Sequence, residues 1–366
     1  MNKIFKKRAH ITALTVGLLC PVGCSGDIQG SNLELYNVNV AQSSESSFKK
    51  IDWILSKNGT QIIRGINPNP NPSYNSLENL VFTDIDPHSF DITPWDITVM
   101  AKFVPLKRLI EKHADHYSID PMWASQFFNL ESLMIPTDYN TISNDFGLGQ
   151  IKRNSERLAK RLGTDPTNVL YSPDLDTNGN IFDPETNIIM AMLLHRYNIK
   201  KHGLKNSNQV YAVYFRGKPG LKPNGIISKI AKDNVDGLRE RFELYRKVIP
   251  LFRLREGEIR QLKNKDAKVL LEIYNSTSNP REMYAKELDY FLSDIEDNLT
   301  GDIRTVLIFD DSVSFASTLE ISYGINQADT YKRLEAVGNK LKNIVEGDDL
   351  IRRINSTNER LQSVIR

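Results

Sequence analysis

The sequence predicts a mainly α-helical protein, in which a helical domain over residues 96–251 precedes a smaller α+β region over residues 252–366. Apolar residues recur at the three- and four-residue spacing of one helical face, at Val99, Phe103, Leu106 and Ile110. Strand-forming residues dominate two later runs, 305–309 and 319–323. The first pattern predicts the helical domain, and the second predicts the β component of the C-terminal region.

Prolines and capping residues predict where the helices begin and end. Pro105 either starts or kinks the first helix. Asp120 followed by Pro121 is an N-cap with proline at the first helical position, so a second helix begins there. This helix should end near residues 131–134, because Pro136 follows. Further helices are indicated at 155–162, 186–197, 208–214 and 227–249.

The C-terminal region changes character after Pro250. Charged helices come first, the two strand-like runs follow, and apolar residues at helical spacing mark a closing amphipathic helix, at Leu334, Val337, Leu341, Ile344 and Val345. We expect either a binding role or a purely structural capping role for this region.

The N-terminus has the pattern of an export signal. A basic segment, residues 3–8, precedes an apolar run at 11–19, far shorter than the roughly 20 residues needed to cross a bilayer. Residues 1–24 are therefore predicted to be a lipoprotein signal peptide. The segment Pro21–Cys24 resembles a bacterial lipobox, with Pro where Leu is usual, and Cys24 is the expected lipidation site. Ordinary signal cleavage and an unmodified thiol are the alternatives.

Composition limits the remaining function classes. Residues 25–95 are rich in Ser, Asn and Pro, which predicts a tether with partly ordered patches. The formal net charge is only +2, so no electrostatic case exists for a nucleic-acid partner. Both cysteines lie in the leader, the six histidines form no metal-ligand pattern, and no phosphate-binding loop is present. We therefore predict no metal and no cofactor.

The most specific motif is Glu131-Ser132 at the end of an apolar helix. Sixteen residues after Glu131 follows the segment Gly147-Leu148-Gly149-Gln150. These two motifs resemble the Slt-type lytic transglycosylases, which have a lysozyme-like α-helical catalytic domain. In that family a Glu-Ser pair closes a buried helix and a Gly-Leu-Met-Gln motif follows it. Gly149 stands where the Met is usual, as goose-type lysozyme relatives also allow.

The resemblance extends along the chain in both directions. Upstream, residues 116–121 are similar to the family's segment leading into the catalytic helix. Downstream, residues 182–188 resemble its Pro-Glu-x-Asn-Ile opening of a long helix, with Ala191 where a Gly is usual. The motif Ala-Tyr-Asn-Ala-Gly corresponds to residues 211–217, in which Tyr214 and Gly217 match while Phe215 and Arg216 replace Asn and Ala. The resemblance covers about a third of the chain, residues 103–222.

The motifs imply a mechanism built on one carboxyl group. A Glu on a helix rich in Trp and Phe would be desolvated, which raises its pKa and suits a general acid. Most glycosidases need a second carboxylate, whereas substrate-assisted enzymes use the acetamido group of the sugar. The resemblance implies that Glu131 protonates the glycosidic oxygen in peptidoglycan strands. Glu131 would then deprotonate the C6 hydroxyl of N-acetylmuramic acid, which yields a 1,6-anhydro end. With the Cys24 anchor, the enzyme would be exported and held on a bacterial membrane, facing the periplasm or cell wall.

The resemblance implies seven substrate-binding residues besides catalytic Glu131: Ser132, Gly147, Leu148, Gly149, Gln150, Glu185 and Tyr214. Most of them also have a purely structural interpretation. The two glycines are either turn residues or positions where a sugar approaches the backbone. Ser132 either caps a turn or positions Glu131, and Gln150 either pairs with backbone or binds an acetamido group. Tyr214 is either a core residue or a partner of Glu131, while Glu185 is either a first-turn residue favoured by the helix dipole or a site residue.

Two rival functions stay open at this point. A muramidase would let water, rather than the C6 hydroxyl, complete the reaction. A non-catalytic peptidoglycan-binding lipoprotein would keep the fold without turnover, and the replacements at Phe215 and Arg216 favour that alternative.

Overall fold

A computed structural model describes residues 91–117, 119–176, 178–204, 207–216 and 244–365, together with Leu77, Leu238 and Arg241. Helices dominate these residues, which confirms the mainly α class. The predicted signal peptide, Cys24 and nearly all of the tether lie outside the described residues. Among the helices that are described, none combines the length and apolarity required to span a membrane.

Three helices lead to the predicted site: α1 (Pro94–Phe103), α2 (Lys107–His116) and α3 (Pro121–Ser132). Pro105 separates α1 from α2 rather than kinking one helix. As predicted, Asp120 caps α3, because its Oδ1 accepts hydrogen bonds from the backbone N–H groups of Met122 and Trp123. The helix ends where Leu133 adopts a left-handed conformation.

A short antiparallel sheet follows α3, in the order β1 (Tyr139–Asn140), β2 (Asp145–Phe146) and β3 (Ile151–Lys152). Three more helices follow it: α4 (Arg153–Gly163), α5 (Pro184–His202) and α6 (Ser207–Arg216). They confirm the helices expected over 155–162, 186–197 and 208–214. Most of the helix expected over 227–249 lies outside the described residues. The described part of that range includes residues 244–248, which are helical.

The C-terminal region contains helices and turns, and its described residues include no strand, so the α+β prediction for residues 252–366 is wrong. A 3-10 helix, Ile249–Arg253, precedes six α-helices: α7 (Glu256–Ile259), α8 (Lys265–Ser276), α9 (Pro280–Asp297), α10 (Ile303–Tyr323), α11 (Ala328–Ile344) and α12 (Asp348–Ile365).

Both strand-like runs, 305–309 and 319–323, lie in α10. Every residue from Thr305 to Leu319 is buried. The run 305–309 is thus buried on every side, and a short apolar run of this kind cannot be distinguished from a buried strand by periodicity. The run 319–323 is partly exposed, at Ile321, so there the helix overrides the strand propensity of single residues. Tertiary packing therefore decides the conformation of this segment.

The C-terminal helices share one core with the first two helices. The ring of Phe103 packs edge-on against Phe252 at 5.8 Å, and the Nζ of Lys107 donates to the hydroxyl of Tyr274 at 3.1 Å. Helix α10 packs directly on α1. The division of the chain near residue 251 stays a prediction, although these contacts cross that position.

The same region also supports the loop that leads into α5. The Oγ of Ser322 donates to the carbonyl of Phe182 at 2.6 Å, and the Nδ2 of Asn180 donates to the carbonyl of Ile321 at 2.7 Å. The ring of Phe182 in turn packs against Phe146 in β2. The end of α10 is thus connected through this loop to the sheet beside the predicted site.

Candidate functional site

Backbone strain concentrates in the segment that follows Glu131. Among the described residues, four non-glycine residues have a positive φ, and all four lie within 133–150: Leu133 (54°), Met134 (62°), Asn144 (59°) and Gln150 (48°). Such conformations cost on the order of 1–3 kcal/mol each and concentrate at functional sites. This observation marks the segment as a candidate site without reference to any resemblance.

Glu131 lies at the end of α3, and its environment favours the protonated carboxyl. Its Oε1 atom is buried and has no hydrogen-bond partner. Burial is the main cause that raises the pKa of Glu131 to about 7, and the negative charges of Asp145 and Asp138 raise it further. A hydrogen bond with the Tyr211 hydroxyl acts in the opposite direction. A carboxyl with this pKa is populated in both protonation states near neutral pH.

An aromatic cluster from three helices lies beside this carboxyl. The ring of Tyr214 stacks on His195 at 4.3 Å, and Phe127 packs edge-on against both rings. Burial lowers the pKa of His195 to about 3, so its imidazole is neutral at physiological pH. The cluster therefore places no imidazolium charge here that would lower the pKa of Glu131.

The glycine loop, residues 147–150, is held by one buried side chain of α5. Asn187 is fully buried, and its Oδ1 accepts from the backbone N–H of Gly149 at 2.7 Å. Its Nδ2 donates to the carbonyls of Phe146 at 3.1 Å and Ile181 at 2.8 Å. A Cβ on Gly147 would lie 2.2 Å from that Nδ2, and the φ of this residue is +71°. Gly147 is therefore required by the protein's own packing.

Gly149 also occupies a position with no room for a side chain. Its Cβ would lie 2.7 Å from the Cβ of Ala191 and 3.2 Å from the hydroxyl of Tyr214. That hydroxyl donates to the carbonyl of Gly149 at 2.5 Å. Tyr214 thus orients the glycine loop, and it is Tyr211, three residues earlier on α6, that hydrogen-bonds to Glu131.

Gln150 and Leu148 complete the glycine loop. The Nε2 of Gln150 donates to the Oδ2 of Asp138 at 3.1 Å and to the carbonyl of Gly147 at 2.9 Å, which agrees with its structural interpretation. Leu148 is fully buried and forms part of the core. Burial raises the pKa of Asp138 to about 6, while the positive charge of Arg360 on α12 opposes that shift. A residue of the C-terminal region therefore acts electrostatically on the site.

Two predicted site residues have structural contacts instead. The Oγ of Ser132 donates to the carbonyl of Phe128 at 3.0 Å within α3, and the residue is buried. Glu185 binds α2, with its Oε1 at 2.9 Å from both the Nζ of Lys112 and the Nε2 of His113. These hydrogen bonds lower the pKa of Glu185 to about 2.

Glu185 also belongs to a cluster with the composition of a metal site, which the sequence did not indicate. His113, Asp174 and Glu185 present one ligand atom each within 4.8 Å of one another. The Nζ of Lys112 lies 2.9 Å from the Glu185 carboxylate and 3.2 Å from that of Asp174. Because an ammonium group already binds both carboxylates, we interpret the cluster as an ion-pair network.

Four residues that shape the site are not among the predicted site residues: Tyr211, Asn187, Asp138 and Asp145. Tyr211 lies three residues before the predicted Tyr214 on one helical face, so this spacing is the signal that could have added Tyr211 to the candidates. Asn187 belongs to the quoted segment 182–188, and its role as the anchor of the glycine loop was not foreseen. Asp138 and Asp145 act on Glu131 through space, and no motif marks them.

Comparisons with known proteins identify no relative of this chain: no family model, no curated protein and no solved structure matches it. The interpretation of the site therefore depends on its own geometry and on the motifs in the sequence. The site contains a desolvated carboxyl, a strained loop that side chains of α5 and α6 hold by hydrogen bonds, and further acidic side chains close by.

Proposed function

We propose that this protein is a lytic transglycosylase that cleaves the glycan strands of bacterial peptidoglycan. The observation that carries the proposal is the desolvated carboxyl of Glu131, with its pKa raised to about 7 and one oxygen without a partner. General acid–base catalysis is most efficient when the pKa of the group lies near the working pH. One group can then donate a proton and take one back within a single catalytic cycle.

The proposed reaction transfers two protons through Glu131. Its protonated carboxyl first gives a proton to the glycosidic oxygen, and the C1–O bond of N-acetylmuramic acid breaks while the acetamido group stabilises the cationic C1. The Glu131 carboxylate next removes the proton of the C6 hydroxyl. The C6 oxygen then forms a bond to C1, which gives a 1,6-anhydro end and restores the protonated acid. No water is consumed.

A compensating pair of small residues supports the resemblance behind this proposal. The family usually has Met where this chain has Gly149, and Gly where it has Ala191. The two positions are in contact, since a Cβ on Gly149 would lie 2.7 Å from the Cβ of Ala191. In the family the glycine of this contact is on α5, and in this chain it is in the loop. Either arrangement leaves room for the loop to pack on α5. The two departures from the motif are thus explained by a single contact.

Mass analysis of the fragments released from purified peptidoglycan tests the proposal. Anhydro ends are the expected product, and they distinguish this reaction from its rivals. Reducing ends would identify a hydrolytic muramidase. Release of no fragments by the folded protein would leave a non-catalytic wall-binding protein and contradict the proposal.

Hydrolysis is the second candidate, and Asp145 favours it. Its Oδ1 is buried without a hydrogen-bond partner, and its charge acts on Glu131. Burial also raises the pKa of Asp145. A second carboxyl close to the acid can activate water in glycosidases that hydrolyse their substrate.

Replacing Asp145 with Asn distinguishes the two candidates. For a transglycosylase, we expect Asp145→Asn to keep anhydro products, with a rate within about tenfold of the parent, because general base catalysis by a residue is worth roughly 10²–10⁴-fold. The negative charge of Asp145 raises the pKa of Glu131, so its removal should lower that pKa and move the alkaline limb of the pH–rate profile to lower pH. The pH–rate profile and product masses are the measurements. A hundredfold loss of rate would instead assign the base role to Asp145.

Export and anchoring at Cys24 are part of the same proposal, motivated by the basic leader and the lipobox-like segment Pro21–Cys24. An acylated cysteine would hold the enzyme on a membrane surface without a spanning helix. Labelled fatty acid should be incorporated into the parent and not into Cys24→Ala. Equal labelling of both proteins would contradict the assignment.

A further inference from the structure

The helix that leaves the glycine loop carries an exposed row of arginines. Arg153, Arg157 and Arg161 recur every four residues on α4, so they lie one turn apart on one face of the helix. The row extends over about 12 Å at 1.5 Å per residue. All three residues are exposed. We call Arg153, Arg157 and Arg161 the arginine strip.

Among the described residues, ion pairs account for one member of the arginine strip, Arg153. Glu156 is the acidic residue of α4, and its carboxylate binds Arg153 at 2.8 Å and Lys160 at 3.2 Å. In the part of the chain that the structure describes, no ion pair reaches Arg157 or Arg161. The helix therefore presents uncompensated positive charge, although the net charge of the whole chain is only +2.

This arrangement is unfavourable for the helix itself. Like charges one turn apart on a helix repel each other. Lys152 and Arg153 also lie at the amino end of α4, where the helix dipole disfavours positive charge. Arg161 in the last turn is favoured by the dipole, so the cost falls on the end nearest the glycine loop. An anionic partner outside the chain would offset that cost.

The arginine strip begins at the candidate site. The guanidinium carbon of Arg153 lies 4.2 Å from the ring centre of Phe146 in β2. Asp145, the neighbour of Phe146, pairs in register with Lys152 just before α4. The charge of Asp145 acts on Glu131, so the pairing of β2 with β3 connects the candidate site to the start of the strip.

We propose that the arginine strip binds the carboxylates of the peptide stems on the glycan strand that Glu131 cleaves. The proposal rests on the proposed function and adds a preference for acidic, peptide-bearing strands. Guanidinium groups bind carboxylates through paired, charge-assisted hydrogen bonds, which explains why arginines occupy the row. Spacing by one turn allows neighbouring arginines to bind separate carboxylates along one strand.

Binding to purified peptidoglycan tests the strip, in the Glu131→Gln background so that the substrate is not consumed. The strip variant is Arg153→Gln/Arg157→Gln/Arg161→Gln. The control variant, Arg253→Gln/Arg281→Gln/Arg352→Gln, removes three exposed arginines from other surfaces with the same change in charge. Each variant is compared on native peptidoglycan and on the same material with its carboxylates converted to amides. A melting curve checks that each variant is folded, and Arg157→Gln/Arg161→Gln replaces the triple variant if Arg153 is needed for folding.

We expect the strip variant to bind native peptidoglycan on the order of tenfold more weakly than the control variant at low ionic strength. This difference should shrink as salt is added and vanish on the amidated material. Equal binding of both variants to native peptidoglycan would overturn the proposal. An equal loss on both materials would also overturn it. If the parent cleaves peptidoglycan but the strip has no effect, only this inference fails. If the parent neither binds nor cleaves peptidoglycan, the proposed function fails with it.

Discussion

Glu131→Gln should reduce the release of peptidoglycan fragments by on the order of 10⁴-fold or more, with the fold intact. General acid and general base catalysis contribute roughly 10²–10⁴-fold each, and the proposed mechanism assigns both to this one residue. Glutamine has nearly the same shape but can neither donate nor accept the required proton. Rates on purified peptidoglycan are the measurement. A folded variant within about tenfold of the parent rate would refute the mechanism, because the expected acid–base loss is far larger.

The same variant should be at least as stable as the parent, which separates catalysis from folding. The pKa of Glu131 is about 7 in the folded protein, above its ordinary value of 4.5. A carboxyl whose pKa is higher in the folded than in the unfolded protein favours folding at low pH. For Glu131 that advantage is lost as the pH rises through about 7, its pKa in the folded protein. Above pH 7 the charged, buried carboxyl therefore costs roughly 3 kcal/mol, from 1.36 kcal/mol per pKa unit. We expect the stability of Glu131→Gln relative to the parent to increase between pH 4.5 and pH 8. A parallel pH dependence for both proteins would show that Glu131 is not desolvated.

Lys102→Met should lower the free energy of unfolding by about 3–5 kcal/mol at pH 7, the typical cost of breaking a buried ion pair. The Nζ of Lys102 on α1 lies 2.9 Å from Asp311 on α10, and their side chains are 5% and 1% exposed. The negative charge of the adjacent Asp310 raises the pKa of Asp311, and the charge of Asp311 in turn raises the pKa of buried Glu287. Without the ammonium group, Asp311 would have to ionise in an acidic, desolvated environment.

The pH dependence of this loss provides an internal check. Burial already raises the pKa of Asp311, and the charge of Lys102 opposes that shift. In Lys102→Met the pKa rises further, so the loss of stability should grow as pH increases and shrink towards acid pH, where Asp311 is protonated. Denaturant unfolding at several pH values measures it.

A matched lysine at the surface serves as the control for Lys102. Lys112→Met breaks a pair with Glu185 in which the two side chains are 52% and 37% exposed. Exposed pairs contribute about 0–1 kcal/mol, so this variant should be nearly as stable as the parent. Equal effects at Lys102 and Lys112 would show that the C-terminal helices do not depend on the buried pair with α1.

Much of the local structure could be predicted from the sequence, because caps and prolines act over a few residues. Asp120 before Pro121 marks the start of α3, and Asp183 before Pro184 marks the start of α5; both carboxylates accept N–H groups of the first turn. The end of α3 near Glu131 follows from the same local signals. Desolvation of Glu131 was also expected, from the aromatic residues on its helix.

Contacts between distant segments could not be predicted in the same way. Asn187 is 38 residues from Gly149 along the chain, and Tyr214 is 65 residues from it. The sequence places Tyr211 and Tyr214 on one face of α6, and the motif marks only Tyr214. Only the packing of α6 against α3 directs Tyr211 to Glu131 and Tyr214 to the backbone of the loop.

The helical class and the main helix starts could be predicted from the sequence, since each depends on the chemistry of nearby residues. Glu131 became the candidate acid through the resemblance of four motifs to a known family. That residues 305–309 and 319–323 belong to one helix depends on tertiary packing: the first run is buried on every side and carries no periodic pattern, and in the partly exposed second run the strand propensity of single residues is overridden by the helix around it. Tertiary structure also decided that Asp138 and Asp145 act on Glu131 and that Arg360 of α12 acts on Asp138. Electrostatic effects depend on distance in space, and separation along the chain does not encode that distance.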